Sequence, residues 1–269
     1  MLRFNALNDV LKRTAKQVDY PSDKISEFYA VNDFIEGRCS LKLIEKKLLG
    51  ELRGKSVLHL QCHFGQDTLS LNRLGAEVVG VDFSDEAIKK ANELNEVIHG
   101  SARFICCDIY DLHHHLNEKF DIVFSSYGTI GWLPNLDLWA EQISRFLKPD
   151  GKFIFVEFHP VVWMFDDEFA RISYNYFNEK PYLEKNIGSY ANRQSEIQYE
   201  TVFWNHGLGE VVGSLLSKEI QIVNFEEHDY SPYNCFQGME ELEPGKFRIS
   251  KFGRKLPLVY SLVGKRLNK

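Results

Sequence analysis

A chain of 269 residues, 44% hydrophobic and 26% charged, can bury a full core in one large domain or one domain with an insertion, which excludes the disordered class. A formal net charge of −6 argues against a general binder of nucleic-acid backbones, which needs clustered positive charge, and points to a small-molecule or protein substrate. The five cysteines (Cys39, Cys62, Cys106, Cys107, Cys235) lack the spacing of a zinc site or a secreted disulfide framework, and neither a signal-peptide pattern in Met1–Asp9 nor a long apolar run is present, so the expectation is a soluble, cytoplasmic protein.

Residues 1–39 read as a polar and aromatic lead-in, with a turn at Tyr20-Pro21-Ser22-Asp23 and a short helical or irregular stretch from Ile25 to Phe34. From Ser40 to Leu52 the positions Leu41, Ile44, Leu48 and Leu49 recur at helical spacing, and Gly50 and Gly54 end the pattern. A regular alternation follows: strand 57–61, helix 67–74, strand 77–82, helix 85–94, strand 103–107, strand 122–126, helix 138–147 and strand 152–158. Strands alternating with helices at this pitch predict a parallel sheet with right-handed crossovers and helices on both faces. Ser84 is a natural N-cap, with Asp85 and Glu86 in the first turn where the helix dipole favours negative charge.

Residues 160–206 form an aromatic insertion, too long for a plain connection and expected to cap a substrate pocket, to form an interface or to be a small core of their own. Residues 207–269 read as a last helix (208–216), a strand (220–225), an irregular segment (229–251) and a closing strand-like run Leu258–Val263, suggesting an antiparallel hairpin at the sheet edge. The expected fold is a single α/β domain over 1–269. It is a three-layer sandwich around a seven-stranded, mostly parallel sheet, with 40–159 as its ligand-binding core.

Open parallel sheets hold ligands beyond the carboxyl ends of their strands, where a following helix offers unpaired N–H groups. The first such handover is Ser56-Val57-Leu58-His59-Leu60-Gln61-Cys62-His63-Phe64-Gly65-Gln66-Asp67. At the end of the next strand stands Asp82, followed by Phe83; a carboxylate there can accept both hydroxyls of a ribose. Asp108, followed by Ile109, ends the third strand and can accept from an adenine amino group, and Ser125 to Tyr127 end the fourth. Taken singly, these acids are ordinary helix caps or surface carboxylates; as an ordered set after consecutive strands they outline an adenosine site.

This order of motifs resembles the class I S-adenosylmethionine-dependent methyltransferases over roughly residues 40–160 and, more loosely, at the chain end. Where that family has an acidic residue and three glycines in its first motif, this chain has His59, Gln61, His63 and Gly65, similar to a bacterial small-molecule subgroup whose first motif reads His-Leu-Gln-Cys-His-Phe-Gly. The resemblance implies S-adenosylmethionine as cofactor and S-adenosylhomocysteine as product. Asp82 would bind the ribose, Asp108 the adenine, and Gly65 would let the methionine portion approach the backbone. Tyr29 resembles a lead-in residue that folds over the cofactor, and Gln66 and Asp67 complete the expected cofactor set. His59 cannot supply the family's carboxylate, though a neutral imidazole can accept a hydrogen bond; a buried histidine satisfied by backbone is an equal reading.

The missing glycines weigh against a nicotinamide-dependent oxidoreductase, because the Gln61 and His63 side chains would crowd a pyrophosphate. That enzyme class and a non-catalytic cofactor-binding sensor or partner protein stay as alternatives. For methyl transfer, a general base is needed only when the nucleophile arrives protonated. Glu157, His159 and His206 are the candidates, with hydrogen bonding or orientation the more ordinary role for each. His113-His114-His115 reads as a solvated loop with no metal site expected, and Cys62, Cys106 and Cys107 as small residues in or beside strands. The expected partner is a small molecule, without nucleic acid or membrane; a homodimer is open.

Overall fold

The computed structural model describes residues 29–187 and 198–267, so the Tyr20–Asp23 turn lies outside the described residues. In chain order the elements are α1 (Val31–Ile35), α2 (Leu43–Leu49), β1 (Ser56–Leu60), α3 (Gln66–Arg73), β2 (Glu77–Asp82), α4 (Asp85–Val97), β3 (Arg103–Cys106), β4 (Phe120–Ser126), α5 (Leu136–Phe146) and β5 (Leu147–Phe158). They continue with β6 (Tyr182–Ile187), β7 (Gln198–Phe203), α6 (Leu208–Ser217), β8 (Ile220–His228), β9 (Met239–Glu243), β10 (Lys246–Ile249) and β11 (Val259–Arg266). Seven strands make one sheet in the order β3-β2-β1-β4-β5-β11-β8, the expected mostly parallel sheet with its antiparallel strands at one end. The chain separates into two compact units, the first holding Glu51–Val123 with the lead-in and Tyr182–Phe203, the second Lys42–Gly50, Phe124–Pro181 and Trp204–Lys269.

In the first unit β1 runs parallel to β2, with Ser56 opposite Glu77 and Leu60 opposite Val81, and β2 runs parallel to β3. Val57, Leu58 and Leu60 are wholly buried, as a continuous apolar run in a parallel strand demands. The strand is pinned at its start by Asp121, whose Oδ2 accepts from the Ser56 N–H at 2.9 Å and from its hydroxyl at 2.8 Å. The Ser84 hydroxyl caps α4 by accepting from the Ala87 N–H. The helix read from Ser40 onward starts only at Leu43, and the Ser40 hydroxyl is instead held by Asp67 at 2.5 Å and by Ser70 at 2.9 Å. His113 and His114 lie on a 3₁₀ turn, Ile109–His114, with His115 as its cap, and His114 and His115 are exposed, as a solvated stretch requires.

In the second unit β11 pairs antiparallel with β5 on one side and β8 on the other, which puts Tyr260 opposite both Glu157 and Glu227. Phe124, Trp139, Phe146, Phe153, Phe155 and Tyr260 are among its large, fully buried side chains, with the Trp139 ring edge-on to Phe153 at 5.5 Å. The α5 helix is capped by Asn135, whose side chain accepts from the Leu138 N–H at 3.1 Å. The segment read as irregular, 229–251, contains the β9–β10 ribbon, whose charged, exposed residues hid its strand character. The aromatic insertion divides between the units. Val162, Phe165 and Phe169 pack with Phe236, Ile249, Phe252 and Leu258 in the second, and β6 pairs with β7 in the first. Within the second unit Phe169 and Trp204 are buried, whereas Trp163 and Phe177 are exposed.

Candidate functional site

The first unit builds its site at the β1–α3 turn. Gln61 and His63 have φ of 54° and 53° and Gly65 has φ of 83°, so the two residues standing where the family pattern has glycine keep the left-handed backbone that glycine favours. Each such residue is strained by about 1 kcal/mol or more, so the turn must be held by its surroundings. It is held by the Cys62 N–H donating to the Val81 carbonyl at 2.9 Å, the His63 N–H to Asp82 Oδ2 at 2.8 Å and the Gly65 N–H to the Cys62 carbonyl at 3.0 Å. At Gly65 a Cβ would stand 2.8 Å from the Phe104 ring and 2.9 Å from the Ala91 Cβ. The bareness of Gly65 thus serves close packing between the turn, β3 and α4.

His59 is buried in β1, its Nδ1 2.8 Å from the Thr68 hydroxyl on α3. Burial pushes its pKa down to about 3, so it is neutral in the folded protein. In the unfolded chain the same imidazole takes up a proton below its ordinary 6.5. Its contribution to stability is therefore intact above about pH 7 and is lost as pH falls from 6.5 toward 3, amounting to about 2 kcal/mol by pH 5. His63, pushed down to about 4 by burial, acts in the same direction. The raised carboxylates Asp82 and Glu157 act in the opposite one, so the contribution of His59 is isolated by difference. Urea unfolding of wild type and His59→Asn at neutral pH and near pH 5 is expected to show a smaller acid loss in the variant; parallel losses would refute the assignment.

Asp82 stands where β2 ends. Its Oδ2 accepts from the His63 N–H and its Oδ1 from the Ser84 N–H at 2.9 Å. Burial raises its pKa, while the N–H groups of Ser84, His63 and Phe83 oppose the rise. A carboxylate has about four acceptor sites, so beyond these backbone bonds it keeps acceptor capacity for a hydroxyl. The end of β3 lies alongside, the Cys107 N–H donating to the Asp82 carbonyl at 3.0 Å. Just beyond it, half-buried Asp108 caps the 3₁₀ turn by accepting from the Tyr110 N–H at 2.9 Å, with Ile109 buried. Tyr29 meets the turn from the lead-in, its ring centroid 5.6 Å from His63 and 5.0 Å from Phe64. Gln66 donates to the Tyr29 carbonyl at 3.2 Å and Asp67 accepts from the Ser40 hydroxyl, so the first turn of α3 holds these two residues. Phe64 went unassigned in the sequence reading, although an aromatic between His63 and Gly65 was the available signal. The residues of this unit expected to meet a cofactor include two strand-end carboxylates and two histidines kept neutral by burial, and no lysine or arginine is among them. That donor and acceptor set fits an adenosine without phosphates.

The second unit holds the remaining candidates. The Ser125 hydroxyl donates to Thr129 Oγ1 at 3.2 Å, and Tyr127, at φ of 47°, donates its hydroxyl to the buried Glu45 at 2.8 Å. Glu157 is 2% exposed and accepts from the N–H groups of Gly128 (2.5 Å), Phe158 (2.7 Å), Thr129 (2.7 Å) and Ile130 (3.3 Å) and from the Thr129 hydroxyl (3.0 Å). Burial raises its pKa against these bonds. The Val161 N–H donates to His159 Nδ1 at 3.2 Å, which leaves the proton on Nε2 to be donated to Glu227 at 2.9 Å. Burial lowers the His159 pKa, opposed by Glu227. His206 donates from Nε2 to the Leu133 carbonyl at 2.8 Å, while its Nδ1 faces Asn178 at 3.2 Å and Glu210 at 3.0 Å. All three side chains are bonded within the protein, an arrangement that holds loops in place.

Comparison with known proteins agrees with the strand-end pattern: residues 58–155 match the family model described as methyltransferase domain. The similarity to that family lies in residues 58–155, less than half of the chain. The solved structures that match share the fold expected from the motif order, a mostly parallel sheet with antiparallel pairing at one end. Among curated proteins, this chain resembles phosphoethanolamine N-methyltransferase 1 of Triticum aestivum, 31% identical over 111 residues, covering 39% of this chain and 21% of that protein. It also resembles the ubiquinone biosynthesis O-methyltransferase of Nitrobacter winogradskyi, 27% identical over 136 residues, covering 49% of this chain and 51% of that protein. The chain thus spans between about a fifth and about half of the length of these two relatives. A solved structure of a methyltransferase from Methanosarcina mazei matches with a TM-score of 0.59 at 17% identity, covering 85% of this chain and 99% of that one. One from Mesorhizobium loti matches with a TM-score of 0.53 at 15% identity, covering 86% and 100%. Among the described residues, no helix is long and apolar enough to cross a membrane.

Proposed function

We propose that this protein transfers a methyl group from S-adenosylmethionine to a small-molecule acceptor by in-line displacement. The observation that carries the reading is Asp82: a strand-end carboxylate fixed by two backbone N–H groups beside the β1–α3 turn, with acceptor capacity left for a hydroxyl. Asp82 would hold the ribose, Asp108 the adenine amino group, and Tyr29 with His63 and Phe64 would supply the aromatic wall beside them. When bound, the cofactor supplies a methyl group already activated by its sulfonium. The protein's part is then alignment and exclusion of water, not strong base catalysis.

That division of labour accords with Glu157, His159 and His206 being engaged by protein groups: they act as positioning residues in this proposal. The relatives' names divide between N- and O-methylation, and the proposal is for a small acceptor as a class. Isothermal titration with S-adenosylhomocysteine tests it, with NADH as the control ligand. Saturable binding of S-adenosylhomocysteine alone is the expected result. No heat at about millimolar ligand, a generous excess over ordinary cofactor affinities, with the protein folded would reject the reading, and binding of NADH instead would favour the oxidoreductase.

A further inference from the structure

Four side chains of α3 reach residues 29–40, all of them within the first unit. Gln66 donates to the Tyr29 carbonyl, Asp67 accepts from the Ser40 hydroxyl, and Ser70 accepts from the Ser40 N–H at 3.0 Å. Arg73 donates to the Phe34 carbonyl at 2.6 Å and to the Ile35 carbonyl at 3.3 Å. Positions 66, 67, 70 and 73 share one face of a helix. The chain therefore runs from the start of α3 at Tyr29 to its far end at Phe34, about 10 Å at 1.5 Å per residue, and returns to the first turn at Ser40. Both limbs of this strap are tied to the same helix.

The strap has little order of its own to draw on. The α1 helix has five residues, far fewer than an isolated helix needs in water, and no basic residue in its last turn. Its one buried side chain is Phe34, and the Arg73 guanidinium, 4.4 Å from the Phe34 ring, brings the missing cation to the carbonyls at its carboxyl end. Ala30, just before the helix, has φ of 48°, a strained conformation that persists only where the surroundings hold it. On the other side of Ala30 stands Tyr29, whose ring meets His63 and Phe64 at the β1–α3 turn. The placing of that ring thus depends on α1, and α1 on Arg73, two turns further along α3.

We propose that Arg73 is a distal positioning residue for the cofactor: by fastening the strap it sets Tyr29 on the β1–α3 turn, so that strap and cofactor stabilise each other. The inference rests on the methyl-transfer reading and adds a second place in the first unit from which cofactor affinity is controlled. Coupling of this kind is reciprocal: a ligand that favours the fastened strap must slow its opening, and a loosened strap must weaken the ligand. Amide hydrogen exchange of residues 29–40 with and without S-adenosylhomocysteine tests the first direction. Titration of S-adenosylhomocysteine into wild type, Arg73→Gln and Arg73→Lys tests the second. In wild type the ligand is expected to slow exchange across 29–40. Arg73→Gln should speed exchange there, leave β1 and β2 as protected as in wild type, and raise the Kd by about fivefold or more, as for a binding-competent state populated about one-fifth of the time. Arg73→Lys, which keeps a cation at the end of α1, should recover part of the affinity. Wild-type affinity in Arg73→Gln, whether or not exchange at 29–40 speeds up, would make the residue merely structural and overturn the proposal. Bound S-adenosylhomocysteine that leaves exchange at 29–40 of wild type unchanged would overturn it too, and that measurement decides the matter where Arg73→Gln fails to fold. Wild type that does not bind S-adenosylhomocysteine at all would instead reject the methyl-transfer reading, and this inference with it.

Discussion

Glu157→Ala is expected to lower the free energy of unfolding by about 3–5 kcal/mol, because it strands buried backbone donors that now share one carboxylate. The N–H groups of Gly128, Thr129 and Ile130 belong to the turn after β4, and Glu157 on β5 is their common acceptor. Glu157→Gln keeps the shape and one acceptor oxygen but turns an NH₂ group toward N–H donors, so about 1–3 kcal/mol should be lost. Urea unfolding followed by circular dichroism measures both. A residue acting only as a general base would give the reverse pattern, with Glu157→Gln as stable as wild type and depleted in kcat. Stability of the glutamine variant within about 0.5 kcal/mol of wild type, the range of an ordinary surface substitution, would remove the loop-holding role.

The parts of this fold legible in the sequence are those encoded locally. Val57–Leu60 and Val78–Val81 read as buried strands because each is a short apolar run bounded by turn residues, and each matches an observed parallel strand. Ser84 read as a cap because the hydroxyl needs only a helix starting beside it. Asp82 and Asp108 were legible as strand-end acids, since the alternation of elements fixes where strands stop. What escaped depends on distant partners. The β9 strand, Met239-Glu240-Glu241-Leu242-Glu243, is mostly charged and exposed, so no period-2 apolar pattern marks it. The roles of Glu157, His159 and His206 are set by Thr129, Glu227 and Leu133, all remote from them in sequence. Tyr260 sits in Leu258–Val263, which reads as one more apolar strand. Only the register with β5 puts its side chain on the same face of the sheet as Glu157. Gln61 and His63 showed in the sequence as missing glycines; their retained left-handed backbone is a property of the folded turn.

Asp82 joins the legible and the hidden, and its substitution should have two separable effects. Asp82→Ala removes the acceptor of the His63 and Ser84 N–H groups, so the protein without ligand should lose about 1–3 kcal/mol of stability. If the same carboxylate holds the ribose through charge-assisted hydrogen bonds, S-adenosylhomocysteine affinity should also fall by about 1.5–3 kcal/mol, measured by titration where both proteins remain folded. Asp82→Asn separates the two: its amide oxygen can still serve one backbone donor, so stability should recover in part, while the loss of charge keeps binding weak. The raised pKa of Asp82 gives the binding effect a pH signature. The neutral acid is a poorer acceptor for hydroxyls, so wild-type affinity should decline as pH falls through that raised pKa, and the decline should be absent in Asp82→Asn. Wild-type affinity in Asp82→Ala, with the expected stability loss, would confine the carboxylate to holding the β1–α3 turn.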